Sequence, residues 1–136
     1  MKLKYYKVFF IIASLLAITI ACSFSASTAK IQNAYTARFV NDEPEETTVF
    51  SQDEVFYAIV DLKNAPDDTV TKAVWYAVDA EGVESNFNIY ESEITHGDGI
   101  ITFDLSNDQL WPEGKYKVEL YLNDKLDKTL NFSVSA

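Results

Sequence analysis

The sequence predicts an all-β domain, a sandwich of about seven antiparallel strands that follows an N-terminal signal helix. Three observations lead there. After residue 30, short runs alternate apolar and polar side chains with the period of two that belongs to half-buried strands. Clusters of Gly, Pro, Asn and Asp punctuate these runs at regular spacing, and no amphipathic helical run interrupts them. The chain is 48% hydrophobic and 14% aromatic with only four glycines and three prolines, which is too apolar for a disordered polymer. Its 136 residues leave room for one core.

The first element is the leader. Lys2, Lys4 and Lys7 precede an uncharged stretch from Val8 to Ala21, VFFIIASLLAITIA, in the layout of a secretory n-region and h-region. These 14 residues fall short of the roughly 20 apolar residues needed to span a bilayer. The stretch ends in Thr19-Ile20-Ala21-Cys22, which resembles the lipobox of bacterial lipoprotein precursors, with Thr19 standing where leucine is usual. The resemblance implies that the Cys22 thiol takes a diacylglyceryl group, that residues 1–21 are cut away as a lipoprotein signal peptide, and that Cys22 becomes the acylated first residue. At about 0.8 kcal/mol per buried methylene, several acyl chains hold a soluble domain at a membrane. The alternative is an ordinary secretory signal cleaved after Ser27-Thr28-Ala29, which would release the domain as a secreted or periplasmic protein. Cys22 is the only cysteine, so no intramolecular disulfide and no CxxC motif is available.

Residues 22–30 read as a short polar tether, and residues 31–136 as the sandwich. Ile31 to Val40 is the first strand, with Ile31, Tyr35, Ala37 and Phe39 expected on one face. The acidic NDEPEETT stretch, residues 41–48, is expected as a loop. Glu54 to Lys63 is apolar on both faces, as suits a central strand. Val70 to Asp79 follows the APDDT turn and is β-branched and aromatic. Ser85 to Ile94 alternates Phe87 and Ile89 with Asn86 and Asn88. After the HGDG turn, Ile101, Phe103 and Leu105 alternate with Thr102 and Asp104. The clearest alternation sets Tyr116, Val118, Leu120 and Leu122 against Lys115, Lys117, Glu119 and Tyr121. A short NDK turn leads into the last strand, Leu126 to Ser135.

Two local features join the strand count. Trp75 lies in the third expected strand, where immunoglobulin-like sandwiches often bury a tryptophan. The segment Leu110-Trp111-Pro112-Glu113-Gly114-Lys115-Tyr116 resembles the L-x-P-x-x-x-Y approach to the sixth strand of fibronectin type III domains. The hairpin over residues 111–134 likewise resembles the end of Ig-like domains of bacterial exported proteins. The resemblance implies an Ig-like or fibronectin type III-like sandwich with a tyrosine-corner hydrogen bond from Tyr116, in an extracytoplasmic setting. It implies no particular activity.

Charge and residue inventory exclude several functions. From Cys22 onward the chain has 8 basic and 21 acidic residues, a net charge of −13, and its one arginine is Arg38. Such a surface cannot condense on phosphate backbones, so nucleic acid is not an expected partner. A nucleophile–base–orienter set fails because the one histidine, His96, sits in an expected turn. Asp53-Glu54 and Asp67-Asp68 are neighbours in sequence, which suits solvated turns better than paired catalytic carboxylates. The loop acids Asp42, Glu43, Glu45, Glu46, Asp79, Glu81 and Asp98 show no EF-hand spacing, and there is no phosphate-binding glycine loop. No cofactor and no metal is expected. Trp111 is expected to plug the sandwich end, with Tyr121 as an alternative recognition surface. The expectation is a non-enzymatic binding module, anchored outside the cytoplasm of a bacterial cell envelope by a lipid on Cys22 and meeting an envelope protein or polymer. The alternative is an inhibitor or accessory factor of an exported enzyme.

Overall fold

The structure, a computed structural model, describes residues 28–136. The expected signal helix and Cys22 lie outside the described residues. Nine strands form: β1 (Lys30–Val40), β2 (Glu43–Glu46), β3 (Val49–Ser51), β4 (Phe56–Lys63), β5 (Val70–Ala80), β6 (Phe87–Thr95), β7 (Gly99–Leu105), β8 (Gly114–Leu122) and β9 (Lys125–Ser135). They make a four-stranded sheet of order β2-β1-β4-β7 and a five-stranded sheet of order β3-β9-β8-β5-β6. The seven expected strands are β1 and β4 to β9.

The two additional strands correct the reading of residues 41–48 as a loop. Asn41 and Asp42 both take positive φ, 52° and 65°, the backbone of a tight hairpin turn that Asn and Asp tolerate better than other L-residues. The chain therefore folds back at once, and Arg38 faces Glu45 while Phe39 faces Pro44. After β2 it crosses to the other sheet, where β3 runs parallel to β9 with Phe50 opposite Val134. The sandwich is thus antiparallel except for this one pair. Arg38 holds the crossing: Nε and Nη2 donate to the two Glu54 carboxylate oxygens at 3.0 and 3.1 Å, and Nη2 also donates to Val49 O at 2.8 Å. The Glu54 hydrogen bond raises the guanidinium pKa further, against the opposing effect of burial.

The core lies between the sheets. Phe56 is its centre, stacked on Trp111 at 4.6 Å and meeting Phe132 and Phe50 edge-on or tilted at 4.8 and 4.9 Å. Trp75 is fully buried, as a tryptophan on a central strand should be. Burying side chains of this size is worth about 1.5–3 kcal/mol each. From β8, Tyr116, Val118, Leu120 and Leu122 all point inward, as their alternation predicts.

β-Bulges shift two faces away from the simple alternation. One between Ile31 and Asn33 moves the register of β1 on β4. Ile31, Ala34 and Thr36 then follow the inward residues Leu62, Val60 and Ala58, while Tyr35, Ala37 and Phe39 turn to the outer face. The expected common face of Ile31, Tyr35, Ala37 and Phe39 does not form. A second bulge, between Trp75 and Tyr76, sets Tyr90 opposite Trp75 and Phe87 opposite Ala77, so Ile89 becomes the extra residue and the expected alternation of Phe87 and Ile89 with Asn86 and Asn88 is broken there.

Gly114 opens β8 at φ 148°. A Cβ there would lie 2.2 Å from Asp79 O and 2.6 Å from Ala80 Cα, so only glycine lets β5 and β8 close at this end.

Candidate functional site

Three surfaces present side chains in a concerted way. The outer face of the five-stranded sheet is a ladder of cross-strand pairs. Lys72 Nζ lies 4.9 Å over the Tyr121 ring and Lys117 Nζ 4.9 Å over Tyr76, with Glu119 3.7 Å from Lys117. Burial, then the Glu119 charge, raises the Tyr76 pKa. Tyr121 is half-buried beneath Lys72, so this face is internally paired. The outer face of the four-stranded sheet carries Phe39, Tyr57 and Ile59, but Phe39 packs edge-on against Tyr57 at 4.6 Å and Ile59 is buried.

The third surface is the side of the sandwich where β6 ends one sheet and β7 ends the other. Here the sheets splay, and a groove of about 440 Å³ runs between them. Tyr90, Ser92 and Ile94 form its β6 wall. The opposite wall is Thr102, Phe103, Asp104, Leu105 and Ser106, five consecutive residues. Successive strand side chains point to opposite faces, so a wall made of consecutive residues is the strand's own backbone edge. A second hollow of about 350 Å³ continues the groove past Tyr90 and Leu105 toward Phe87, Val83, Trp111 and Tyr116. Tyr90 is 53% exposed, Phe87 49% and Ile100, on β7, 60%.

Each end of the groove is fixed by a rigid turn. At one end, residues 96–98 pass from sheet to sheet, pinned by His96 N donating to Thr69 O at 2.9 Å and Ala65 N donating to Asp98 Oδ1 at 2.6 Å. Gly97 is buried under Asp67, where a Cβ would come within 2.6 Å of Asp67 Oδ1. At the other end, Trp111 is buried as a plug. Its Nε1 donates to Glu54 O at 2.9 Å, its N to Gln52 O at 2.8 Å, and Gln52 Nε2 donates to its carbonyl at 2.9 Å. Tyr116 Oη donates to Pro112 O at 2.5 Å, the expected tyrosine corner, and burial pushes its pKa up to about 12.

The sequence-flagged chemistry does not converge. His96 is exposed, with Nδ1 2.8 Å from the oxygen of neighbouring Gly97. Asp67 and Asp68 are exposed in their turn, and Glu54 is committed to Arg38 while Asp53 points to solvent. Among the described residues no three His, Cys, Asp or Glu side chains gather into a metal-binding group.

No family profile matches the chain, and no curated protein matches it. Solved structures do. An immunoglobulin-like protein from Pseudomonas aeruginosa superposes with a TM-score of 0.52 at 14% identity, over 82% of this chain and 99% of that one. The fold is immunoglobulin-like. The Pseudomonas fluorescens alkylpurine DNA glycosylase AlkC, bound to DNA containing an abasic site analog, gives 0.52 at 15% identity, and a β-glucosidase from Listeria innocua gives 0.50 at 15% identity. This chain spans only 31% and 17% of those two enzymes. At such identities the likeness shows the fold alone.

Sequence reasoning missed the groove, although a signal for it was present. Between Lys72 and Lys115 there is no lysine or arginine, while nine acidic residues occur. β6, β7 and both turns that bound the groove lie inside that stretch.

Proposed function

We propose that this chain is a lipid-tethered, non-enzymatic binding module of a bacterial cell envelope, anchored through Cys22, which presents the β6/β7 side of its sandwich to a partner. The observation that carries the reading is the groove: a furrow along two sheet edges, of mixed lining between β6 and β7 with Asp104 in its wall, and apolar where it continues toward Val83, Phe87 and Trp111. Preformed concave apolar surfaces are where recognition concentrates, and exposed apolar side chains gathered in one place mark an interaction site. The anchor is read from the lipobox-like leader. A Cys22 lipid would hold the domain at the membrane without a spanning helix.

Site-specific photo-cross-linking in intact cells tests the reading. A photoreactive residue in place of Tyr90 should trap one defined envelope component, whereas the same residue in place of Tyr121, on the paired outer face, should trap none. Equal labelling from both positions, or none from Tyr90, contradicts the assignment of the groove.

One observation favours a second reading, inhibition of an exported enzyme. Leu110 is 63% exposed and sits beside the firmly anchored Trp111, in the manner of a rigid loop offering an apolar residue to a cleft. Slowing of an exported protease by the wild type but not by Leu110→Ser would support it.

A further inference from the structure

Resting on that reading, we propose that β7 accepts an extended segment of a partner protein as a fifth strand of the four-stranded sheet, and that this segment alternates apolar with basic residues. Sheet edges are templates for pairing, and proteins usually blunt them. On the opposite sides β2 covers only residues 37–40 of β1 and β3 only residues 133–135 of β9, and the stretches left free, residues 30–36 and 125–132, are blunted by Lys30, Lys125 and Lys128 and by a register shift in each. β2 is four residues long, EPEE, with a proline and three glutamates, and β3 is only three residues long. β7 is treated differently. It is seven residues long, GIITFDL, contains no proline and no lysine, and pairs with β4 in unbroken register from Leu105 to Gly99, so no bulge twists its free edge away. β6, across the groove, carries both a bulge and the charges of Glu91 and Glu93. β7 is therefore a long free edge with neither proline, lysine nor bulge, its one charge being Asp104.

The groove fits such an added strand. Its β7 wall is the backbone edge from Thr102 to Ser106, which offers the hydrogen-bonding groups that a strand needs. The inward side chains of the guest would drop between Phe103 and Leu105 on one side and Tyr90, Ser92 and Ile94 on the other. Its outward side chains would lie beside Ile100, Thr102 and Asp104. Charge selects the guest. Asp104 lies in the β7 wall and Asp98 in the turn beyond β6, and no lysine or arginine occurs from residue 73 to residue 114, while Glu91 and Glu93 lie on the outer face of β6, Glu93 opposite Lys72. A basic segment is attracted, whereas a second copy of this chain would bring the same acidic edge against itself.

The test uses the full chain in neutral phosphatidylcholine vesicles and three synthetic peptides of about nine residues, long enough to cover β7. They are an alternating valine–lysine peptide, its valine–glutamate counterpart, and the valine–lysine peptide with a central proline. The valine–lysine peptide should slow amide exchange in residues 99–105 and leave residues 43–46 and 49–51 unchanged. The glutamate and proline peptides should bind at least about tenfold more weakly. Ile100→Lys, at an exposed position, should lower affinity for the valine–lysine peptide by a similar factor with unchanged thermal unfolding. Asp104→Asn, which keeps the shape, should lower affinity and flatten its salt dependence. The proposal is overturned if the three peptides bind alike, if residues 99–105 stay unprotected at saturation, or if self-association of the chain protects them without peptide. A partner trapped from Tyr90 in cells with no protection of β7 overturns strand addition and leaves the binding reading intact. Protection of β7 by peptide with nothing trapped in cells removes the binding reading and leaves the strand-accepting edge.

Discussion

Tyr116 joins the fold to a measurable dependence on pH. Its ring is packed against Phe132, 5.6 Å between centroids, and it is 2% exposed. Its hydroxyl donates to Pro112 O, and burial raises its pKa from 10.0 to about 12. Because the folded pKa lies above the unfolded one, the neutral phenol supports folding fully below pH 10 and loses that support as pH rises toward 12. That difference corresponds to no more than about 3 kcal/mol. Tyr116→Phe removes the ionisable group together with the hydrogen bond, which at neutral pH costs about 1 kcal/mol and leaves the Pro112 carbonyl unpaired. The two stability curves should therefore cross near pH 11 by this reckoning, with wild type more stable below the crossing and the Phe variant above it. Urea unfolding followed by tryptophan fluorescence, on both proteins from neutral pH upward, measures this directly. Tyr76 is present in both and cancels in the difference. A constant offset between the two proteins across the whole alkaline range would refute the assignment of Tyr116 as the buried, alkali-sensitive phenol.

Other perturbations act at single points. Gly114→Ala should lower stability by about 3 kcal/mol, read as a fall in urea midpoint, because its Cβ has no room beside Asp79 and Ala80. Asp124→Gly should raise stability by about 0.5–1 kcal/mol, since Asn123 and Asp124 both hold positive φ in the β8–β9 turn; a lower melting temperature would contradict that account of the turn. Cys22→Ala should shift the protein out of lipid-modified membrane fractions, with the intact mass of the wild type showing an acylated chain that begins at Cys22. A mature wild-type chain beginning at Lys30 with no lipid mass would sink the anchor.

Strands whose two faces meet different surroundings were legible in the sequence. β8 is the plainest: Tyr116, Val118, Leu120 and Leu122 go to the core because the other side of the sheet faces water. β4 read as central because it is apolar on both faces, and it lies between β1 and β7. What escaped sequence reasoning was decided by single residues whose effect is not periodic. The Asn41-Asp42 turn makes a strand of an acidic stretch, EPEE, that carries no strand signal of its own. The bulge after Ile31 exchanges the faces of β1, and nothing in the spacing of Tyr35, Ala37 and Phe39 announces it. The candidate site was harder still, because a groove between two sheets depends on which strands become edges, and pairing order is a long-range property. Only its charge was local, in the lysine-free and arginine-free run from residue 73 to residue 114. Trp111 was expected as a plug of the sandwich end, and it is buried there, held by hydrogen bonds to Gln52 and Glu54 that the sequence did not announce.

In the arrangement we propose, a lipid on Cys22 holds this sandwich at a membrane with its β7 edge covered by a partner. Thiol labelling tests both halves at once, because Cys22 is the only cysteine of the chain. A lipidated Cys22 is a thioether and does not react, so a cysteine introduced at Ile100 on β7, 60% exposed, or at Leu126 on β9, 52% exposed, becomes the sole reactive thiol. The wild type should be unreactive, and the Ile100→Cys protein should label several-fold more slowly in intact cells than after purification, relative to Leu126→Cys. Free labelling of wild-type Cys22, or an unchanged ratio of Ile100→Cys to Leu126→Cys in cells and in isolation, would contradict it.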